Sequence, residues 1–487
     1  MWSLFFHRCV DCAAEWRKVL TVLLLQTEVS LKNILIACNS FAPDNSIGAI
    51  RPTKLAKYLD LAGYNVTVIT EQKKSDVVDP VLSKDALGLD VHYIKPFRGY
   101  SLMHKMYIKQ RVWQTAIISN ADDEKKQATN DGILSSLLNY FFRFITSIGY
   151  RILDYNQRFL AKRAMKLFSN RHFDVVITSY PEDFSLYFGM SYKSKYSQIL
   201  WIADFRDPIK RIINNTVKSE ERAVDDTRER VKMISKVADI IIGVSESCIK
   251  DFEEICFHKC HIICNGFDRN DLENIIVYSN EKFTLTYTGH LISDKLYKGK
   301  QDLSSVFKAI NSLIEEKRID GNKLLINYAG KTESLFKQQV TRYHLQKSAK
   351  IHGFIDRHKS LSLQRNSTIL LLASWNYSDF KGVLTGKFLE YLMIDKPIIC
   401  TVVGNDANSK LKEMITEANN GVVWEEANND VDYPILKSYI LEQYERFVKG
   451  KQLLFKPNRE YIEQYNYKFI TQQYINLIEE HFLKSKI

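Results

Sequence analysis

Near the end of the chain, Thr385-Gly386-Lys387-Phe388-Leu389-Glu390-Tyr391-Leu392 runs into Asp395-Lys396-Pro397 and a predicted strand. Lys387 and Glu390 stand three residues apart and share one face of a first helical turn, while Leu389 and Leu392 share another. A cation at a helix N-terminus adds to the dipole in attracting an anionic diphosphate. The acceptor oxygens of the carboxylate suit a pair of hydroxyls such as those of ribose. The plainer alternative is a first-turn glutamate that complements the dipole.

Three more segments place reactive types where a strand should end. Asn39 to Gly48, NSFAPDNSIG, puts Gly48 at a helix start, where free N–H groups favour phosphate and the missing side chain lets it approach. A tight strand-to-helix turn would explain the same glycine. No G-x-G-x-x-G is present, although Glu71 follows the second strand where a ribose-binding acid would stand. Gly289-His290 closes another predicted strand, and Lys295, Lys298 and Lys300 follow before Gln301-Asp302-Leu303, either a phosphate-sized cationic loop or a solvated one. Trp201-Ile202-Ala203-Asp204-Phe205-Arg206-Asp207-Pro208 sets two acids and an arginine at one strand end, where Arg and Asp could pair to order the loop. Cys256, Cys260 and Cys264, with His258 and His261, match no zinc spacing, and Cys264 is expected in a buried strand. Cys9-x-x-Cys12 has no strand before it. No metal site is expected.

The elements that must position these residues show in the hydrophobic pattern. Apolar runs at 34–38, 66–69, 91–94, 175–178, 199–203, 240–244 and 261–264 alternate with helical periods, and the alternation restarts at 284–288, 324–328, 369–373 and 398–402. Short buried strands separated by helices imply parallel sheets covered on both faces. The expected fold class is α/β with two Rossmann-like domains. The chain of 487 residues exceeds the size of one core, and its 45% hydrophobic and 26% charged composition excludes fibrous and largely disordered classes. The expected organisation is an extension at 1–31 outside the fold, an N-terminal domain at 32–272 with a basic insertion at 97–172, a C-terminal domain at 273–455, and closing helices at 456–487. In that tail Tyr461, Tyr465, Phe469, Tyr474, Ile475, Ile478 and Phe482 form the apolar side.

Of the net charge of +11, the insertion holds +8, from 13 Lys and Arg against 5 Asp and Glu. Without a recognition motif this does not indicate nucleic acid. Arg151, Arg158 and Lys162 recur on one face of a predicted helix, leaving Ile152, Phe159 and Met165 to pack elsewhere. Such a stripe is either a solvated face or an element that meets an acceptor or an anionic membrane surface. Eight irregularly spaced cysteines fit a reducing compartment. No segment reads as transmembrane, so a cytoplasmic protein is expected, with the insertion as its means of lying on the inner membrane face.

Taken together these segments resemble the GT-B glycosyltransferases of family 4, in the bacterial branch serving capsule, O-antigen (lipopolysaccharide) and exopolysaccharide assembly. The marks are FAPDNSIGAIRPTKLAKYLDLAGYNVTVIT at 41–70, DVVITSYPE at 174–182, WIADFRDPI at 201–209, ADIIIGVSE and the later NGFD ending at 268, YTGHL at 287–291, HGFID at 352–356 and GKFLEYLMIDKPII at 386–399. The resemblance implies two Rossmann-like domains facing a cleft, with the C-terminal helix crossing back to the first. It also implies retaining, metal-independent transfer from a nucleotide diphosphate sugar, without a cofactor, to a saccharide or lipid-linked acceptor. Carried over by position, Gly48 would approach the donor diphosphate, Lys300 would bind it, Glu390 would hold the ribose, and the backbone near Phe354 and Ile355 would meet the base; Gly289 and Lys387, read from their own places, join the donor-binding set. Asp204 and Arg206 stand where many relatives place a catalytic histidine, and Lys300 would stabilise the departing diphosphate. The family's paired glutamate eight residues before Glu390 is Gly382 in this chain, a departure that leaves the sugar-binding acid unassigned. A nucleotide-sugar epimerase of the same fold and a non-catalytic nucleotide-sugar binding protein are the alternative readings.

Overall fold

The computed structural model describes residues 32–73, 78–106, 108, 132–209, 220–292, 300–378 and 386–484. The extension at 1–31, Lys295, Lys298 and Gly382 lie outside them. The chain divides into two units. One comprises the residues up to Val78, Asp85–Ile263 and the chain from Ile475 on; the other comprises Asp79–Lys84 and Cys264–Tyr474. The division thus falls after Ile263 rather than after residue 272.

The first unit is built on a seven-stranded sheet: β1 Asn33–Cys38, β2 Asn65–Glu71, β3 Asp90–Ile94, β4 Val175–Tyr180, β5 Leu200–Phe205, β6 Ile240–Gly243 and β7 Cys260–Ile262. Every pairing is parallel, in the order β3-β2-β1-β4-β5-β6-β7. All six residues of β4 and all six of β5 are buried, as a parallel sheet covered on both faces requires. Helix α1, Ile47–Leu61, leads from β1 to β2, and α2, Gly132–Leu167, leads into β4. Trp201 on β5 is fully buried and donates its indole N–H to Thr178 Oγ1 at 3.0 Å. Gly189, on the helix that follows β4, lets that helix lie on the ring, because a Cβ there would come within 2.5 Å of the indole nitrogen. Strand β7 ends at Ile262, so Cys264 is not in a buried strand as expected. It is half-buried in the loop beyond, where the chain passes into the second unit.

The second unit carries a six-stranded parallel sheet: β8 Phe283–Thr288, β9 Leu324–Ala329, β10 Ala349–Ile351, β11 Ile369–Trp375, β12 Ile398–Val403 and β13 Gly421–Glu425, ordered β10-β9-β8-β11-β12-β13. Helix α3, Arg357–Arg365, precedes β11 and α4, Gly386–Ile394, precedes β12. Phe388, Leu389, Tyr391 and Leu392 of α4 sit in the core with Leu370, Leu372 and Ile398, which leaves the Lys387 and Glu390 side less buried.

The last helix, α5, Tyr467–Lys484, is shared between the units at Tyr474 and Ile475. Its latter half is tied within the first unit through Glu479, which accepts from Lys32 Nζ at 2.6 Å and from the Tyr64 hydroxyl at 2.7 Å. Its inward residues are Tyr467, Ile470, Tyr474 and Ile478, while Phe469 is 49% exposed. The expected apolar side fails at Phe469 because the tail is two helices: the first ends at Glu463, and the break resets the phase at Tyr467. Among the described residues no helix is long and apolar enough to cross a membrane.

Asp204 holds the first unit's elements together. Both of its oxygens are taken by Arg51 of α1, from Nε at 2.9 Å and Nη2 at 3.0 Å, and Arg51 Nη2 also donates to the carbonyl of Ile263 at 2.9 Å. The side chains are 3% and 1% exposed. Removing one partner strands a buried charge, so Asp204→Ala should destabilise this unit by about 3–5 kcal/mol. Urea unfolding followed by circular dichroism reads this as a lower midpoint; an unchanged midpoint would mean that the pair does not hold α1 to β5.

Candidate functional site

In each sheet the strand order reverses beside its first strand, between β1 and β4 in one and between β8 and β11 in the other. Loops leaving the carboxyl ends at such a point part to opposite faces and open a crevice where ligands of doubly wound sheets bind. The reactive segments found in the sequence lie at these ends.

In the second unit three loops run side by side. Gly289 N–H donates to the Ala329 carbonyl at 2.7 Å, and Gly330 N–H to the Gly353 carbonyl at 2.9 Å. Gly289 has φ +115°, and a Cβ there would lie 2.6 Å from Lys387 Nζ, so only glycine suits the position. Lys387, the second residue of α4, donates to the Tyr287 hydroxyl at 2.9 Å and rests over its ring, 4.1 Å from the centroid. The Tyr287 hydroxyl in turn donates to the His290 carbonyl at 2.7 Å, and its ring stacks on Tyr328. Burial pushes the Lys387 ammonium down to about 7, against the opposing pull of Glu390. His290 is also lowered, by burial first and then by Lys331 and Lys387.

Glu390 does not pair with Lys387 at contact distance. It accepts from Gln364 Nε2 at 2.6 Å and faces Arg357 Nε at 3.7 Å. Phe354 is 65% exposed, with Lys331 Nζ 4.6 Å from its ring centroid, and Ile355 beside it is half-buried. Lys300 pairs with Asp302 at 2.7 Å. Burial raises the Asp302 carboxyl, but Lys300 and Ser304 outweigh it and hold the group below its ordinary range. The next residue, Gln301, reaches the Tyr287 hydroxyl at 3.5 Å. The second unit therefore gathers Gly289 with Lys387, and Lys331 with Phe354, around one set of strand ends.

In the first unit Gly48 meets Arg206. The guanidinium donates to the Gly48 carbonyl at 2.6 Å and to the Tyr180 carbonyl at 3.0 Å, and stands 3.7 Å from Glu182. Lys73 bonds Ser40 and lies 3.6 Å from Asp44. Glu71 is turned inward, where Asn156 of α2 donates to it at 3.4 Å and burial raises its carboxyl. Arg151, Arg158 and Lys162 are exposed on α2. Arg158 is engaged, bonded to Asp154 at 2.9 Å and lying 4.4 Å from the centre of the Tyr187 ring.

Sequence reasoning missed Tyr287, Gln364 and Arg357. Tyr287 opens the quoted YTGHL motif, but its contact with Lys387 spans 100 positions. Arg357 follows HGFID directly, and its charge at a helix start was the one available signal.

Lys387 gives the site a pH dependence. A lysine lowered to about 7 is charged below that value and neutral above it, so attraction for a diphosphate should fade as pH rises through 7. Titrated from pH 6 to 8.5 with a nucleotide diphosphate sugar, whose diphosphate diester does not ionise further in that range, wild type should bind progressively more weakly. Lys387→Gln should bind weakly and almost independently of pH. Parallel pH profiles in the two proteins would contradict this.

The sequence matches no protein-family model and no curated protein. Among solved structures, the chain resembles the N-terminal domain of Candida albicans trehalose-6-phosphate phosphatase (TM-score 0.57, 11% identity, 93% of this chain and 98% of that one). It also resembles α,α-trehalose 6-phosphate synthase from Burkholderia multivorans (TM-score 0.54, 10% identity, 94% and 98%). A third match is sucrose-phosphate synthase from Thermosynechococcus elongatus (TM-score 0.50, 12% identity, 93% and 100%). At these identities the likeness is one of fold, and the fold is GT-B.

Proposed function

We propose that this chain is a retaining, metal-independent glycosyltransferase. It would move a sugar from a nucleotide diphosphate sugar to a saccharide or lipid-linked acceptor in cell-surface polysaccharide synthesis, working without a cofactor. The observation that carries this reading is Lys387 in the first turn of α4, set over Tyr287 and against the side-chain-free Gly289 at the reversal point of the second sheet. As the bond between the anomeric carbon and the diphosphate breaks, negative charge grows on the leaving oxygens. Lys387, Lys300 and the helix N-terminus then stabilise the transition state more than the ground state. Glu390 holds the ribose hydroxyls, and the loop at Phe354 and Ile355 meets the base. In the first unit, Asp204 sets α1 through Arg51, and Arg206 grips the Gly48 carbonyl, so both act in this proposal by placing the first turn of α1.

A thermal-shift panel of UDP, GDP, ADP and CMP with their sugars identifies the donor, since a ligand bound only by the native state raises its stability. Transfer from that donor should then proceed with EDTA present. Glu390→Gln should lower kcat/KM roughly 10- to 150-fold, the loss of about 1.5–3 kcal/mol for hydrogen bonds to a charged acceptor. Conversion of the donor to another sugar without an acceptor would make the protein an epimerase, and binding without turnover would make it a nucleotide-sugar binder.

The insertion is proposed as the surface that meets an anionic acceptor or the inner membrane face, on a protein that works in the cytoplasm. Arg151 and Lys162 are free to reach solvent, and each such cation near an anionic bilayer contributes about 1 kcal/mol. The neighbouring segment is pinned to α2 by Phe97, whose ring meets Tyr155 at 5.3 Å and Phe159 at 6.2 Å. It exposes Leu102 by 67% and Met106 by 64%, one helical turn apart, as an interfacial helix would. In co-sedimentation with anionic vesicles, the Arg151→Gln/Lys162→Gln and Leu102→Ser/Met106→Ser pairs should each weaken binding. High salt should weaken binding too, because the Debye length falls from about 10 Å at 0.1 M to about 3 Å at 1 M. Equal sedimentation of all three proteins with anionic and neutral vesicles would sink the membrane reading.

A further inference from the structure

Glu390 is held by residues that neither the sequence motifs nor the fold likeness assigns. Arg357 is the first residue of α3 and Gln364 lies two turns on, so both side chains belong to one face of that helix. The Arg357 guanidinium stands among three carboxylates: Asp271 at 2.8 Å, Glu390 at 3.7 Å and Asp79 at 3.9 Å. Gln364 is fully buried, and its amide nitrogen has two hydrogens for three oxygens in reach, Glu390 at 2.6 Å, Thr288 at 2.9 Å and Ser360 at 3.1 Å. Its carbonyl oxygen is buried with no hydrogen-bond partner among the described residues. Turning the amide over would bring that oxygen against Glu390, which an ionised carboxylate opposes. The amide therefore gives up a hydrogen bond at its own oxygen to donate to Glu390. The arrangement spends two groups on fixing one carboxylate, which a glutamate that only complemented a helix dipole would not require.

We infer that Arg357 and Gln364 are positioning residues for Glu390: they fix its carboxylate in one orientation, so that its remaining lone pairs meet the two adjacent ribose hydroxyls of the donor nucleotide. This rests on the reading of Glu390 as the ribose ligand. A carboxylate offers about four acceptor sites, and Gln364 occupies one. Without its two holders the group could rotate away, and the preference for a ribose over a deoxyribose would go with it.

The test compares, by calorimetry, the nucleoside diphosphate giving the largest thermal shift, its 2′-deoxy counterpart and inorganic diphosphate. The proteins are full-length wild type, Glu390→Gln, Gln364→Met, Arg357→Gln and Arg357→Lys. Wild type should prefer the ribonucleotide by about tenfold or more. Glu390→Gln, Gln364→Met and Arg357→Gln should each bring the ratio to about twofold or less, and Gln364→Met, which alters no charge, should keep its affinity for inorganic diphosphate. Arg357→Lys, which keeps the charge, should recover part of the preference. If wild type binds both nucleotides equally, the reading of Glu390 as ribose ligand fails. If Glu390→Gln loses the preference while Gln364→Met and Arg357→Gln retain it, Glu390 stands and the positioning role is overturned. Should Arg357→Gln fail to fold, Gln364→Met decides alone, since methionine keeps the volume and removes the donor.

Discussion

Parallel strand pairing is the constraint from which the rest of this molecule follows. Every strand in both sheets runs the same way as its neighbours, so each connection must cross back over a face, and right-handed crossovers leave few ways to order the strands. Starting in the middle and winding both ways gives the reversal beside β1 and again beside β8. All strands then deliver their carboxyl ends to one edge, where loops carry the residues that a buried sheet cannot accommodate. The chain uses this edge for Asn39 to Gly48 and Asp204 to Asp207 in one unit. In the other it uses Gly289-His290, Gly330-Lys331, Gly353-Phe354 and the start of α4. The glycines let backbones run side by side there, and the charges stand where a ligand could repay their desolvation.

Two sets of buried charge illustrate different uses of that edge. Arg51 gives two donors to the two oxygens of Asp204 and a third to the Ile263 carbonyl. Such a pair is closed: it fixes α1 against β5 and offers a ligand nothing. The set around α4 is open. Lys387 has an aromatic face and a phenol rather than a carboxylate at contact distance, and burial already lowers its proton affinity to about 7. An incoming anion would restore the charge that the protein alone suppresses. Arg357, by contrast, faces three acids, so this small region sets one cation among carboxylates and the other beside an aromatic ring.

Much of this was legible in the sequence because it is local. The apolar runs located β1 to β9, β11 and β12, since a strand buried on both faces cannot hide its composition. Strand β10, Ala-Lys-Ile, is three residues long at a sheet edge, and β13, Gly421–Glu425, is half open at its start, so neither makes a distinct run. Cys264 was assigned to β7 because the apolar run continues past Ile262, whereas the pairing with β6 stops there. Lys387 and Glu390 were found by spacing, but spacing says only that two side chains share a face. It could not say that each would turn to a partner about 100 or about 30 positions away, because those partners arrive through sheet topology. Asp204 and Arg206 share one strand end in the sequence, as site candidates or as an Arg and Asp pairing, and topology gives each a different partner in α1, Arg51 for one and the Gly48 carbonyl for the other.

The two sheets share a winding scheme yet differ in what fills the crevice, and this difference is why the proposed function puts the anion at the second. In the first unit the guanidinium of Arg206 points its donors at the carbonyls of Tyr180 and Gly48 and lies near Glu182. Two of its five N–H groups are given to backbone carbonyls, and a carboxylate already faces its charge. A Cβ at Gly48 would touch that guanidinium at 3.0 Å, so the missing side chain already accommodates arginine. In the second unit the corresponding glycine, Gly289, makes room for an ammonium whose neighbours are a ring, a phenol and the glycine backbone itself. An ammonium has three hydrogens, and the phenol takes one. The donors without a partner among the described residues, the lowered proton affinity and the helix N-terminus therefore coincide at α4, whereas at β1 the cation already faces a carboxylate. The same fold element thus serves as a scaffold in the first unit and as the candidate diphosphate site in the second.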